Sequence, residues 1–112
     1  IAFNICVSNT DDHLRNHGFL LVEKDGWGLA PAYDLNPNPH GQGLTLNITE
    51  NDNRLDLELA LEVAESFHLS LPQAKKRMEM IRAAVRRWKS VAERFRLSRS
   101  AQDAMASAFQ RA

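Results

Sequence analysis

Thr10-Asp11-Asp12-His13-Leu14-Arg15-Asn16, followed by a further acidic residue in Pro31-Ala32-Tyr33-Asp34-Leu35, is the stretch on which the reading of this chain turns. Asp11 precedes Asn16 by five residues, and Asp34 lies beyond a short apolar segment with its own turn signal. Phosphotransferases place a base and two magnesium ligands in this order, because an acceptor hydroxyl must lose its proton while the phosphate oxygens are neutralised. Nothing in the chain matches the Gly-rich loop or the ATP-positioning lysine that protein kinases carry on an N-terminal lobe. The pattern therefore predicts a catalytic segment without the lobe that covers the nucleotide.

Upstream, Ile1-Ala2-Phe3-Asn4-Ile5-Cys6-Val7 reads as the closing turns of a buried helix that stops at Ser8-Asn9-Thr10, where small polar side chains compete for backbone hydrogen bonds. It starts in apolar sequence with no capping residue, so the N-terminus is read as a truncation. Downstream, residues 18–23 and 27–30 are β-capable and flank Lys24-Asp25-Gly26, which predicts a hairpin joining the two acidic sites. Residues 31–43 are rich in proline, asparagine and glycine and predict an ordered but irregular loop. The alternation in Leu44-Thr45-Leu46-Asn47-Ile48-Thr49 predicts one more short strand.

Beyond Asp56 the texture is helical. Leu57, Leu59, Ala60, Leu61, Val63, Ala64 and Phe67 fit one amphipathic helix ended by His68-Leu69-Ser70, and Ser70-Leu71-Pro72-Gln73 opens the next with proline in its first turn. Met78, Ile81, Val85, Trp88 and Val91 or Ala92 recur along one long helix, with Met78 and Trp88 expected in the core. Ser98 opens a last helix with Ala104, Met105, Ala108 and Phe109 on its apolar face. The expected fold class is mainly α with a small β-hairpin. It forms a single unit over residues 1–112, with the catalytic loop, hairpin and metal-binding loop in residues 1–49 and a helical part in residues 56–111.

A length of 112 residues allows one domain or one lobe. Lysine and arginine total 14, as do aspartate and glutamate, so no global charge argues for nucleic acid or an anionic membrane. Cys6 is alone, which excludes an internal disulfide and suits a reducing compartment. No apolar run approaches the roughly 18 residues of a membrane span. The expected location is the cytoplasm.

In this pattern Asp11 accepts or orients the proton of the acceptor hydroxyl. Asn16 offers a hard, neutral amide oxygen suited to magnesium, and Asp34 is the charged ligand, with Leu35-Asn36 where protein kinases have Phe-Gly. Asp12 competes for the role of base, and the spacing to Asn16 favours Asp11. His13 lies between base and ligand, where it either bonds Asp34 or a phosphate or braces the loop.

Asn9 through Phe19, taken with Pro31-Ala32-Tyr33-Asp34, resembles the C-terminal lobe of HipA-type serine/threonine kinases, the toxin halves of bacterial toxin–antitoxin pairs. The likeness extends through the helices of residues 57–88. Its Asp-x-His-x-x-Asn core is shared more loosely with phosphoinositide kinases, whereas the pairing with Pro-x-Tyr-Asp is more particular to HipA. The resemblance implies Asp11 as catalytic aspartate, Asn16 and Asp34 as magnesium ligands beside ATP, and a protein serine or threonine as acceptor. It also implies a small DNA-binding antitoxin (HipB-like) as partner, through which alone nucleic acid is contacted, and no membrane. The family's phosphate-binding loop, adenine pocket and regulatory serine have no matching positions here, so the isolated segment is expected to be inactive.

Blander readings stand beside these. Asp11, Asp12 and Asn16 are individually ordinary loop residues. His13 and His17 are four apart, but Gly18 and the polar loop speak against the helix a metal site would need. Phe19, Trp27 and Tyr33 are expected to pack the hairpin onto the helices. The basic run from Lys75 to Arg96 is a solvated face or, alternatively, a partner surface. A non-catalytic interaction module with the kinase fold, or a phosphoinositide or small-molecule kinase, are the competing functions.

Overall fold

Local caps and turns set the elements, and a few long-range bonds tie them together. The computed structural model describes all residues, Ile1–Ala112. Helix α1 (Ala2–Cys6) leads to a hairpin of β1 (Phe19–Val22) and β2 (Gly26–Leu29), then to α2 (Leu57–Glu62), α3 (Leu71–Val85), α4 (Trp88–Arg94) and α5 (Arg99–Met105). Single 3-10 turns stand at Leu14–Asn16, Ala64–Phe67 and Ala106–Phe109. The fold is thus mainly helical with one two-stranded antiparallel sheet, as the sequence predicts.

Helix α1 ends where Ser8 turns left-handed at φ 52°, close to its expected stop. The buried Ser8 hydroxyl donates to the Ala108 carbonyl at 3.0 Å and accepts from Arg111 Nη1 at 2.8 Å, which staples the end of the chain to the loop entering the acidic motif. Cys6 and Val7 pack on Val85 of α3, with Leu57, Ile81 and Phe109 around them. The hairpin pairs Phe19 with Leu29 and Val22 with Gly26, and left-handed Lys24 and Gly26 make its tight turn. Ser70 and Gln73 form the capping box of α3, with Pro72 in its first turn.

Several expectations are corrected. Residues 44–49 make no strand. The segment folds back on itself, with Leu44 donating its N–H to the Asn53 carbonyl (2.8 Å) and Asn53 Nδ2 to the Leu44 carbonyl (2.7 Å), leaving one isolated bridge between Gly43 and Arg54. The helix expected over residues 57–67 tightens into a 3-10 turn after Val63, which brings the Leu69 N–H onto the Ala64 carbonyl past left-handed His68. The long helix through Val91 breaks at Arg86 and Arg87 with neither glycine nor proline there. Packing overrides propensity at that point, because the break lets Trp88 stack on Phe109 with ring centroids 4.4 Å apart. Trp88 and Met78 are half-buried rather than core residues. Phe19, Trp27 and Tyr33 are 62%, 72% and 47% exposed, so they do not pack the hairpin onto the helices.

Burial is correspondingly thin. Only 15 of 112 residues are buried, and the radius of gyration of 15.3 Å exceeds the roughly 13 Å of a compact domain this long. Large apolar side chains therefore remain at the surface, on the hairpin and along α4 and α5.

Candidate active site

Asn4 is the first residue that positions the site, although it lies inside the apolar run of α1. A buried amide needs partners, and Asn4 finds two. Its Nδ2 donates to Asp12 Oδ2 at 2.7 Å, and its Oδ1 accepts from Asn9 Nδ2 at 3.1 Å. The other Asp12 oxygen lies 3.0 Å from His17 Nε2. With both carboxylate oxygens engaged and only 10% of its side chain exposed, Asp12 is a brace at the base of the loop. Asp11, next to it, is exposed and makes no side-chain hydrogen bond, so its carboxylate is free to meet a ligand.

Asn16 closes the 3-10 turn, its Oδ1 accepting the His13 N–H at 3.0 Å. Its Nδ2 donates to Asp34 Oδ2 at 2.8 Å, so the two residues read as magnesium ligands meet across the hairpin that separates them. Asp34 stands at φ 57°, in the left-handed region that a non-glycine residue adopts at a cost, which is common at functional sites. Asn36 Nδ2 donates to Asp34 Oδ1 at 2.6 Å and helps hold that conformation. Tyr33 OH donates to the Arg15 carbonyl at 2.6 Å and ties the second motif to the first. His13 sends its backbone, not its ring, into the network, and its buried Nδ1 has no partner.

A second layer fixes the loop from outside. Thr10's carbonyl accepts from Thr45 N at 3.1 Å and Thr45 Oγ1 at 2.7 Å, and its hydroxyl accepts from Asn38 Nδ2 at 2.9 Å. Gly41 lies so close that a Cβ there would sit 2.6 Å from Thr10 Cγ2 and 2.9 Å from the Ser8 carbonyl. Sequence reasoning passed over Asn4, Asn38 and Thr45, and weighed His17 only as a metal ligand. Only Asn4 carried a signal, a polar residue in a run otherwise fit for burial.

Magnesium is held in phosphotransferases by one or two side-chain oxygens and completed by phosphates and water. Asp34 and Asn16 fit that donor set in kind and proximity. The Asn16 oxygen now faces His13, so presenting it toward Asp34 requires a half-turn of the amide. No group of three His, Cys, Asp or Glu side chains converges to make a metal centre of protein ligands alone. A cavity of about 230 Å³ opens against this side of the loop, lined by Asp12, Asn16, Tyr33 and Leu35 among others.

A loop of this type, a hairpin and a second aspartate mounted on a helical body define a class, the helical C-terminal domains of HipA-like proteins. The model of the family described as the HipA-like C-terminal domain matches residues 1–108, and the chain belongs to that family. No curated protein and no solved structure matches it. Asp11, His13, Asn16 and Asp34 all fall within the matched residues.

Proposed function

We propose that this chain is the catalytic segment of a HipA-like serine/threonine protein kinase, which transfers the γ-phosphate of ATP to a protein hydroxyl. The observation that carries the reading is the 2.8 Å contact between Asn16 and Asp34, with Asp11 left unpaired on the same loop. Asp11 takes the proton of the acceptor hydroxyl, while Asp12, anchored by Asn4 and His17, holds the loop that presents Asp11. Asp34 and Asn16 would hold magnesium, which would supply positive charge to the phosphate oxygens. His13 stays near the reacting groups with one ring nitrogen uncommitted. A phosphate-binding loop and lysine must come from sequence other than these residues. The family setting adds the role of toxin beside a DNA-binding, HipB-like antitoxin, in the cytoplasm. No helix of the chain is long and apolar enough to cross a membrane.

A second reading, a kinase-fold module that binds a partner without catalysis, is favoured by one detail. The Asn16 amide is committed on both sides, its oxygen to the His13 N–H and its nitrogen to Asp34. Transfer of labelled γ-phosphate from magnesium ATP, measured on the full-length polypeptide containing these residues, separates the two. Loss of a proton-accepting aspartate typically lowers the rate by about 10²–10⁴-fold, and that loss is expected for Asp11→Asn, with Asp34→Asn also inactive. No transfer by a folded, nucleotide-binding parent selects the interaction module.

A further inference from the structure

On the helical side, α4 and α5, with Phe3, Val7 and Pro37 at one end, open an apolar groove of about 760 Å³ in which 12 of 14 lining residues are hydrophobic. Trp88, Val91, Ala92 and Phe95 line it from α4 at the i, i+3, i+4, i+7 spacing of one helix face. Leu97 and Met105 lie across from them. Much of this surface is uncovered, with Val91 51%, Phe95 73% and Leu97 54% exposed.

The margin of the groove is positively charged. By helical periodicity Arg87 and Arg94 flank the apolar face of α4 on one side and Lys89 on the other, with Glu93 one turn beyond Lys89. The Lys89 ammonium lies 5.6 Å from the Trp88 ring centroid, which places that charge at the groove itself. Arg96 and Arg99 continue the series toward α5. Arg82 and Arg86 are paired with Glu79, but Arg87, Lys89, Arg94, Arg96 and Arg99 enter no ion pair. Residues 87–99 hold these five cations against the single anion Glu93, a local concentration of positive charge in a chain whose net charge is +0.

We propose that this groove docks an amphipathic helix of a partner protein, with an apolar stripe seated on Trp88, Val91 and Phe95 and acidic residues on its flanks. Helix-in-groove recognition supplies the apolar anchors, and opposite charge at the rim supplies orientation and on-rate. A second copy of this chain is a poor occupant, since its own basic rim would face this one. A nucleic-acid backbone offers nothing to cover the apolar floor. The inference is independent of phosphoryl transfer and stands whether or not Asp11 is a base.

The test uses the chain carrying Trp27→Phe, so that Trp88 alone reports emission. It is titrated with a synthetic helix bearing a leucine stripe and a glutamate polar face, and separately with the same stripe on a lysine face. The glutamate helix should shift Trp88 emission and bind roughly tenfold or more tightly than the lysine helix at low salt, the gap narrowing as salt screens the rim. Val91→Glu should abolish the shift. Phe95→Ser at a more exposed position carries the same test if Val91→Glu unfolds. Lys89→Glu combined with Arg94→Glu should remove the preference. Equal binding of both helices, or none by a folded chain, overturns the proposal. So does sedimentation showing a dimer that Phe95→Ser dissociates, which would make a second copy the occupant.

Discussion

The two sides of this molecule are held by different forces. Around the acidic loop, Asn4, Asn9, Asp12, Asn16, Asp34 and Thr45 form a mesh of short, directional hydrogen bonds with almost no apolar packing. Across α1, the helical side rests on Cys6, Val7 and Val85 and a stack of two rings, with few side-chain bonds between elements. Directional bonds fix positions to tenths of an ångström, as the proposed proton transfer would require. Apolar contact fixes proximity but leaves surface over, which suits docking. One short helix serves both, since Asn4 faces the mesh and Ile5, fully buried, faces the core.

That adjacency allows the comparison to be broken one side at a time. Ile5→Ala should lower stability by about 3–4 kcal/mol through lost burial and the cavity left behind, while the amide chemical shifts of Asp11–Asn16 in the surviving folded fraction stay near their original values. Asn4→Ala should lower stability by about 2 kcal/mol, because it leaves a buried carboxylate oxygen unmet and the Asn9 amide with only its long bond to the Asp34 carbonyl. It should also move the shifts of Asp12, Asn16 and His17. Urea melts with heteronuclear spectra of both variants decide the matter. Equal spectral change in the two would mean that core and mesh are not separable.

Gly41→Ala sharpens the division within the polar side. The new Cβ meets Thr10 Cγ2 and the Ser8 carbonyl too closely, and the backbone atom cannot swing away. The loop of residues 38–41 should shift outward at a cost of about 1–2 kcal/mol, weakening the Asn38 bond to Thr10 and with it the entry to the acidic loop. Hydrogen exchange at Gly41 and Thr45 reads the change. Unaltered protection would show that the outer layer does not position the loop.

Legibility in the sequence divides along the same line. Asp11, Asn16 and Asp34 could be picked out because their chemistry restricts residue type and spacing, and the structure does bring Asn16 and Asp34 together. The caps at Ser70 and Ser98 were equally readable, being local. The break at Arg86 and the failed strand at residues 44–49 were not. In the first, stacking of Trp88 on Phe109 decides; in the second, Asn53 supplies bonds that a strand neighbour would have supplied. The stacking partner lies far along the chain, whereas Asn53 lies close by and acts through a side-chain pairing that no periodicity reveals. Asp12's role as brace was hidden because its contact with Asn4 depends on how the chain turns back between them after α1 ends.

Cys6 gives a smaller, pH-dependent effect on the apolar side. Burial pushes its thiol pKa up, against the pull of the Arg82 and Arg86 charges. A raised folded pKa means that the protonated thiol is favoured by folding. Its contribution is complete below the ordinary thiol range and is lost as pH rises through the raised value. The urea midpoint of the parent should therefore fall relative to Cys6→Ala as the solution becomes alkaline, and the thiol should label only through unfolding. Rapid labelling of the native chain would mean that the contact between α1 and α3 opens readily.

The smallest effect is expected on the hairpin, which belongs to neither side. Phe19, Leu21, Trp27 and Leu29 share one face by strand alternation and are 62%, 66%, 72% and 68% exposed. Because Trp27 touches so little, Trp27→Ser should change the stability of the dilute chain by no more than about 0.5 kcal/mol. It should leave the Asn16–Asp34 contact in place, since Tyr33 ties the hairpin's exit to Arg15 without help from the strands. A loss above 1 kcal/mol, well outside that range for a surface position, would mean that the hairpin folds onto the body in solution and that its aromatics pack as the sequence had led one to expect. The site would then be braced by apolar contact as well as by hydrogen bonds, and the contrast between the two sides would hold only for the layer nearest Asp34.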